Sequence, residues 1–357
     1  YDRLGFSVDQ AGDINNDGFP DIAVGATEDF LPFVSGPGFA KVYSGVDGAL
    51  LHHFVGPVAA GAFGYAVAGA GDIDQDGWDD LLVGAPEDST NGSGAGAVRI
   101  YSGQTGAVLR TILGDTTAFK CGSSAEGLGD LNGDGYPEYA IGSRGAGLNG
   151  QNSGLVRVYS GMSGSLLHEI IGLAASDRLG ASMDNAGDVD GDSIDDLLVG
   201  SYFGGAFLYS GSDGSLLRHM TSPSSDDFFG WDVAGVGDVT GDGVPDFLIG
   251  AHQDSVFVSA PGYAEVINGA NGASVRILAG TVNGERFGIS VASAGDFDGD
   301  GFSDYLIGAD QNSGSAIGYA RVYSGFDGSF IQSFVGSAPD AHMGYCVAGL
   351  GDVNGNQ

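Results

Sequence analysis

Hydrophobic and polar positions follow one short theme, repeated along the chain. Residues 63–72, FGYAVAGAGD, alternate and are rich in small side chains, as a tightly packed strand requires. Residues 80–86, DLLVGAP, are a short apolar run of Leu and Val, the pattern of a strand buried on both faces. A polar, glycine-rich stretch follows (87–96), and then AVRIYSG (97–103) alternates again. Gln104, Thr105 and Gly106 form a tight turn into AVLRTILG (107–114), a fourth strand. No window carries a helical period of useful length. The unit is therefore four short antiparallel strands.

Between the first and second strands stands an acidic segment, GDIDQDGWDD from Gly71, and it recurs. The other copies are GDINNDGFPD from Gly12, GDLNGDGYPE from Gly129, GDVDGDSIDD from Gly187, GDVTGDGVPD from Gly237 and GDFDGDGFSD from Gly295. A clipped copy, GDVNGNQ, begins at Gly351. The first acids are spaced 59, 58, 58, 50, 58 and 56 residues apart. A steady period of this length means an array of like units. Four-stranded units repeated around an axis make a β-propeller. The expected fold is all-β: one domain over 1–357, seven-bladed, with blades at 1–58, 59–115, 116–172, 173–222, 223–282 and 283–337. Residues 338–357 would supply only the first strand of a seventh blade. A six-bladed ring is the alternative.

Composition changes this picture in two ways. The formal charge of −34, with only 12 Lys and Arg, excludes nucleic acid as a natural partner. It also points to metal, because 21 of the 46 acids sit at four fixed positions of the six intact loops. No run of about 18 apolar residues marks a membrane span. The start at Tyr1 without Met is what a processed or excised stretch would show. Cys121 and Cys346 lack CxxC spacing and read as small buried hydrophobes rather than a disulfide.

Counted from the first acid, each loop places oxygen-bearing side chains at positions 1, 3, 5 and 9, with a glycine at 6 in all but one copy. This is the first three-quarters of an EF-hand calcium loop. The candidate ligands, with a main-chain carbonyl at position 7, are Asp13, Asn15, Asp17, Phe19 and Asp21 in loop one, and Asp72, Asp74, Asp76, Trp78 and Asp80 in loop two. Loop three offers Asp130, Asn132, Asp134, Tyr136 and Glu138, and loop four Asp188, Asp190, Asp192, Ile194 and Asp196. Loop five offers Asp238, Thr240, Asp242, Val244 and Asp246, and loop six Asp296, Asp298, Asp300, Phe302 and Asp304. About six Ca²⁺ sites are expected, since a crowded, flexible, all-oxygen cage suits a large ion better than Mg²⁺. The bland alternative is that the acids only shape the turn. Position 12, a bidentate Glu in an EF-hand, is Val24, Val83, Ile141, Val199, Ile249 or Ile307, and a strand follows instead of a helix. Three copies depart from the pattern, at Glu138, Thr240 and Ser193, the last replacing the glycine at position 6.

The repeats resemble FG-GAP repeats, the blades of the integrin alpha-subunit propeller. The Phe-Gly element stands as Phe63-Gly64, Phe229-Gly230 and Phe287-Gly288, and in degenerate form as Leu4-Gly5, Cys121-Gly122, Leu179-Gly180 and Met343-Gly344. The Gly-Ala-Pro element is complete at Gly84-Ala85-Pro86 and partial at Gly25-Ala26, Gly142-Ser143, Gly200-Ser201, Gly250-Ala251 and Gly308-Ala309. The resemblance implies seven blades, calcium loops on the lower face, and partner binding by upper-face loops. It places the chain outside the cell, secreted or at the cell surface, as an adhesion, protein-interaction or assembly module whose ligand is a protein, the matrix or a glycan. A carbohydrate-binding or polysaccharide-cleaving propeller is the alternative.

No catalytic constellation stands out. His52, Arg110, His168, Arg218, Arg276 and Gln332 occupy one position of the fourth strand, which reads as a solvated face. His252 and His342 lie in upper-face loops without a second ligand at metal spacing. The acid pairs Glu28-Asp29, Glu87-Asp88 and Asp226-Asp227 read as solvated. The upper loops, where a recognition surface would differ among blades, offer Phe30, Leu31, Phe33 and Val34 in the first and Val256, Phe257 and Tyr263 in the fifth, which either cap the blades' own edges, the reading preferred here, or meet a partner; blade four has almost no such loop (201–205).

Overall fold

The computed structural model describes residues 3–27, 36–222, 227–253, 260–311, 317–338 and 341–351. They form two compact units, residues 1–181 with 350–357, and residues 182–349. The first unit holds three blades: β1 (Leu4–Gly12), β2 (Asp21–Ala26), β3 (Phe39–Tyr43) and β4 (Leu50–Val55); then β5 (Ala66–Gly71), β6 (Asp80–Ala85), β7 (Ala97–Tyr101) and β8 (Val108–Leu113); then β9 (Cys121–Leu128), β10 (Glu138–Ser143), β11 (Leu155–Tyr159) and β12 (Leu166–Ile171). The second holds three more: β13 (Ser182–Gly187), β14 (Asp196–Ser201), β15 (Gly205–Tyr209) and β16 (Leu216–Met220); then β17 (Asp232–Gly237), β18 (Asp246–Ala251), β19 (Tyr263–Ile267) and β20 (Ser274–Ala279); then β21 (Ser290–Gly295), β22 (Asp304–Ala309), β23 (Tyr319–Tyr323) and β24 (Phe330–Val335). Each blade is an antiparallel meander in sequence order. The four strands predicted for the second repeat are all present.

Burial falls from the middle of a blade to its outer edge. β6, β10, β14 and β18 are buried at every residue, as their unbroken apolar runs require. The fourth strands carry many of the exposed apolar groups, among them Leu50, Val108, Leu166 and Leu216. Within each unit, blades stack through a glycine contact. A Cβ built on Gly25 would lie 2.1 Å from the carbonyl oxygen of Gly64, on Gly84 2.4 Å from that of Gly122, and on Gly142 2.3 Å from that of Gly180. The second unit repeats this at Gly200 with Gly230, Gly250 with Gly288 and Gly308 with Gly344. The glycine of one repeat's Gly-Ala-Pro element thus receives the Phe-Gly carbonyl of the next, and no side chain fits between them. The same Phe-Gly segment bridges the start of the preceding blade's third strand, as in Gly38 with Phe63 and Gly262 with Phe287.

The expectation of seven blades is corrected: the described residues form six four-stranded sheets, and residues 344–351 carry no strand. The physical reason is pairing. A strand needs a hydrogen-bonded neighbour, and this segment has no second strand of its own to ladder against. It lies along β21 instead, where the Val347 N–H donates to Ser290 Oγ at 3.1 Å. Most of the clipped seventh loop, including Asn356, lies outside the described residues.

Candidate metal centre and interaction surface

The six acidic loops share one set of bonds. The position-1 carboxylate accepts the N–H of position 6 and, except in loop four, that of position 5, as Asp72 does from Gly77 at 2.9 Å and Asp76 at 3.0 Å; in loop four the Asp192 N–H turns to Asp190 at 3.1 Å. The position-5 carboxylate accepts the N–H of position 7, as Asp17 does from Phe19 at 3.0 Å and Asp134 from Tyr136 at 3.0 Å. These Asx-type bonds fold the loop and leave further carboxylate lone pairs for another partner. Positions 4 and 6 are both left-handed. Position 6 has φ of 90° at Gly18 and 89° at Gly243, and Ser193 holds the same bend at 71°. Position 4 has Asn16 at 56° and Gln75 at 57°, a demand that sequence spacing alone did not reveal.

Position 9 opens the second strand and is fully buried in every loop. Asp21, Asp80, Glu138, Asp196, Asp246 and Asp304 are each at most 1% exposed. All six tie the loop to the turn between the third and fourth strands. Asp80 accepts from the Ile73 N–H at 3.0 Å and the Gly103 N–H at 3.1 Å, and Asp304 from Phe297 at 2.8 Å and Gly325 at 2.9 Å. Burial pushes Asp80 up to about 7 and Asp196 up to about 6, with nearby loop acids adding to the rise. Protein groups alone thus leave these carboxylates short of positive charge, which a cation beside them would reverse.

Carboxylate oxygens converge within 4.8 Å of one another in four loops: Asp72, Asp74 and Asp80; Asp130, Asp134 and Glu138; Asp188, Asp190 and Asp196; and Asp296, Asp298 and Asp300. Asp304, a sequence candidate, stands outside the loop-six trio. Loop one has Asn15 at position 3, and its Oδ1 is buried with no hydrogen-bond partner. An orphaned acceptor among acids is what an oxygen-coordinated cation would satisfy, so loops one, two, three, four and six fit such an ion. Loop five does not: Asn268 Nδ2 donates to Thr240 Oγ1 at 3.0 Å and to Asp242 Oδ2 at 2.6 Å.

The FG-GAP repeat family matches residues 5–43 and 63–101, each running from the start of a first strand to the end of a third. Over these two stretches the chain is similar to the FG-GAP repeat. Integrin alpha-8 of Mus musculus is 32% identical over 216 residues, 56% of this chain and 20% of that protein. Integrin alpha-6 of Gallus gallus is 34% identical over 162 residues, 43% of this chain and 15% of that protein. Integrin alpha-2 of Mus musculus is 40% identical over 106 residues, 26% of this chain and 9% of that protein. The aligned part therefore spans a fifth or less of these relatives.

The remaining sequence candidates fall into place on the FG-GAP blades. The polar column of the fourth strand is not a solvated face. His52 Nε2 lies 2.6 Å from the Gly103 carbonyl of the next blade. Arg110 donates to the carbonyls of Ser160 at 3.2 Å and Met162 at 2.8 Å, and Arg276 to Gly325 and Phe326, both at 3.2 Å. Within each unit, these side chains clamp a blade to its successor's last turn. The acid pair Glu87-Asp88 is split between Lys120 and a buried bond to Arg99 at 2.8 Å. Asp227 accepts the Tyr263 hydroxyl at 2.8 Å, which also turns Tyr263 inward. Burial pushes the Cys121 thiol up to about 12, as a buried small hydrophobe requires.

Glu28, Asp29, Phe30, Leu31, Phe33, Val34, Asp226, Val256 and Phe257 lie outside the described residues. The short blade-four loop, set aside on length, carries aromatic surface instead. Tyr202 stacks on Trp231 with centroids 4.1 Å apart, Phe203 lies 5.3 Å from Phe228, and Phe228 stacks on His252 at 4.7 Å. Phe203 is 49% exposed. The signal available was the density of rings in SYFGG, DDFFGW and AHQ, rather than loop length.

Proposed function

We propose that the chain is a calcium-stabilised, non-enzymatic binding module displayed outside the cell, secreted or at the cell surface. Its six repeats act as one domain. The ions are structural: they hold first strand to second strand through the side chains at positions 1, 3, 5 and 9 and the carbonyls of Phe19, Trp78, Tyr136, Ile194 and Phe302. The observation that carries this reading is the convergence of three carboxylates in each of four repeated loops, three of these trios including the buried acid at position 9. Acids so placed repel one another unless a cation lies between them. Adhesion to a protein or matrix ligand is supported by the similarity to integrin alpha subunits and by the aromatic group around Phe203 on the loop joining second and third strands.

Thermal unfolding in EDTA and in millimolar calcium tests the first part. Each occupied site adds about 2.7 kcal/mol at a hundredfold excess over its Kd, so several together raise the Tm clearly. Identical melting curves would end the calcium reading. Solid-phase binding to a panel of matrix and cell-surface proteins tests the second, with Phe203→Ala expected to lower binding at unchanged Tm. A partner bound equally by the wild type and Phe203→Ala would remove the aromatic group from the interface.

A further inference from the structure

Five repeats place a serine at the end of the third strand: Ser44, Ser102, Ser160, Ser210 and Ser324. The fifth repeat has Asn268 there. In the serine repeats the hydroxyl accepts a turn N–H, as Ser102 does from Thr105 at 3.1 Å and Ser160 from Ser163 at 3.2 Å. Asn268 does the same with its carbonyl oxygen, accepting the Asn271 N–H at 3.0 Å. That bond fixes which way the amide faces. The NH₂ group, one bond further out than a serine hydroxyl, then points into acidic loop five.

Both of its hydrogens are used there, on Thr240 Oγ1 at position 3 and Asp242 Oδ2 at position 5. Asp242 Oδ1 is taken by the Val244 N–H at 3.0 Å, and Asp246 accepts from Val239, Thr240 and Gly269, each at 2.9 Å. The Val244 bond and the three bonds to Asp246 recur in loops four and six, so what sets loop five apart is the Asn268 amide, which holds both the second oxygen of Asp242 and the Thr240 hydroxyl. Among the residues that end a third strand, the nearest parallel is Ser324, whose Oγ is 3.5 Å from Asp300 Oδ2, the outer limit of a bond; the amide of Asn132 in loop three reaches only its own loop's Glu138, at 2.7 Å. Loop five, like loop one, lacks a carboxylate at position 3 and forms no convergent acid trio, but loop one keeps the unpartnered Asn15 Oδ1 where loop five has the bonded Thr240 hydroxyl.

We propose that loop five holds no divalent cation, because the Asn268 side-chain amide takes the ion's place and closes the loop in a metal-independent way. This rests on the calcium reading of the other loops. One blade would then keep its first and second strands fastened when calcium is withdrawn.

Anomalous diffraction from crystals of the whole chain equilibrated with Tb³⁺, a lanthanide stand-in for Ca²⁺, tests it loop by loop. The wild type should show peaks at loops one, two, three, four and six and none at loop five. The double variant Thr240→Asp with Asn268→Ser restores the composition of a filled loop and should gain a peak there. A wild-type peak at loop five of comparable height, or a double variant that gains none, overturns the inference while leaving the calcium reading intact. No peak at any wild-type loop overturns the calcium reading, and this assignment with it. Melting in EDTA gives a second readout without metal. Asn268→Ser should lower the Tm by a few degrees, because it removes two bonds that no ion replaces, whereas an unchanged Tm in EDTA would show that the amide does not close the loop.

Discussion

Ser193 is the one non-glycine residue at position 6 of the six loops, and its φ of 71° places it in the left-handed region. A side chain there is disfavoured by about 1–2 kcal/mol, whereas glycine gives back about 0.5–1 kcal/mol through its larger unfolded-state entropy. Ser193→Gly should therefore stabilise by about 0.5–1 kcal/mol. Nothing offsets this, because Ser193 is exposed and the backbone N–H that donates to Asp188 Oδ2 at 2.9 Å is kept. Urea unfolding in EDTA should show a higher midpoint at an unchanged slope, and the Tm should rise by about 1–3 °C. The reverse change, Gly243→Ser, imposes a φ of 89° on a serine. No atom lies within 4 Å of the Cβ it would add, so any loss is conformational and not steric. A Ser193→Gly midpoint at or below wild type, together with a harmless Gly243→Ser, would refute the claim that these loops demand a left-handed residue.

Gly84→Ala forces a Cβ to within 2.4 Å of the Gly122 carbonyl, so a loss of about 3 kcal/mol or failure to fold is expected in denaturant titration. Arg276→Met removes two bonds to the next blade's turn and should cost about 1–2 kcal/mol, while Gln332→Met in the same column of the last blade should stay within about 0.5 kcal/mol. Asp76→Ala should reduce the Tm gain on adding calcium, whereas Thr240→Ala should leave that gain unchanged. Burial pushes Asp232 up to about 6, so the folded state holds its proton more tightly than the unfolded chain, where a carboxyl titrates near about 3.9. The stability this group contributes is fully present below about pH 4 and is lost as pH rises through about 6. Asp232→Asn can still accept the Val291 N–H and should gain on the wild type by about 1–2 kcal/mol between pH 4 and 7 in urea titrations.

Much of this was legible because the repeat is dense in short-range signals. The alternation in 63–114 fixed four strands, and the spacing of the acids fixed the loops. What stayed hidden depends on the neighbouring blade. The arginines of the fourth strand look solvated in sequence, since a polar residue on an outer strand has no visible partner until the next blade's turn is placed beside it. Asn268 looks like a conservative exchange for serine, and only geometry shows the extra bond reaching Asp242. The buried state of Asp80 and its counterparts is equally unreadable, because an aspartate beside three others suggests water, not a core. The seventh blade failed for a different reason: the motif of a first strand was present without the second strand that would pair with it.

The clamps and glycine contacts have a direction. Within each unit a blade sends its fourth-strand cation forward to its successor and receives the successor's Phe-Gly carbonyl into its own glycine. A blade's grip on its neighbours is therefore unlike on its two sides. Its leading face loses both its cation's target and its glycine's cover when the successor detaches, whereas its trailing face merely releases what it had supplied. Each such interface joins unlike surfaces head to tail, so the leading face of one blade fits only the trailing face of another. A blade duplicated within a unit could be spliced in only in the same orientation, and two copies of one face offer each other neither contact.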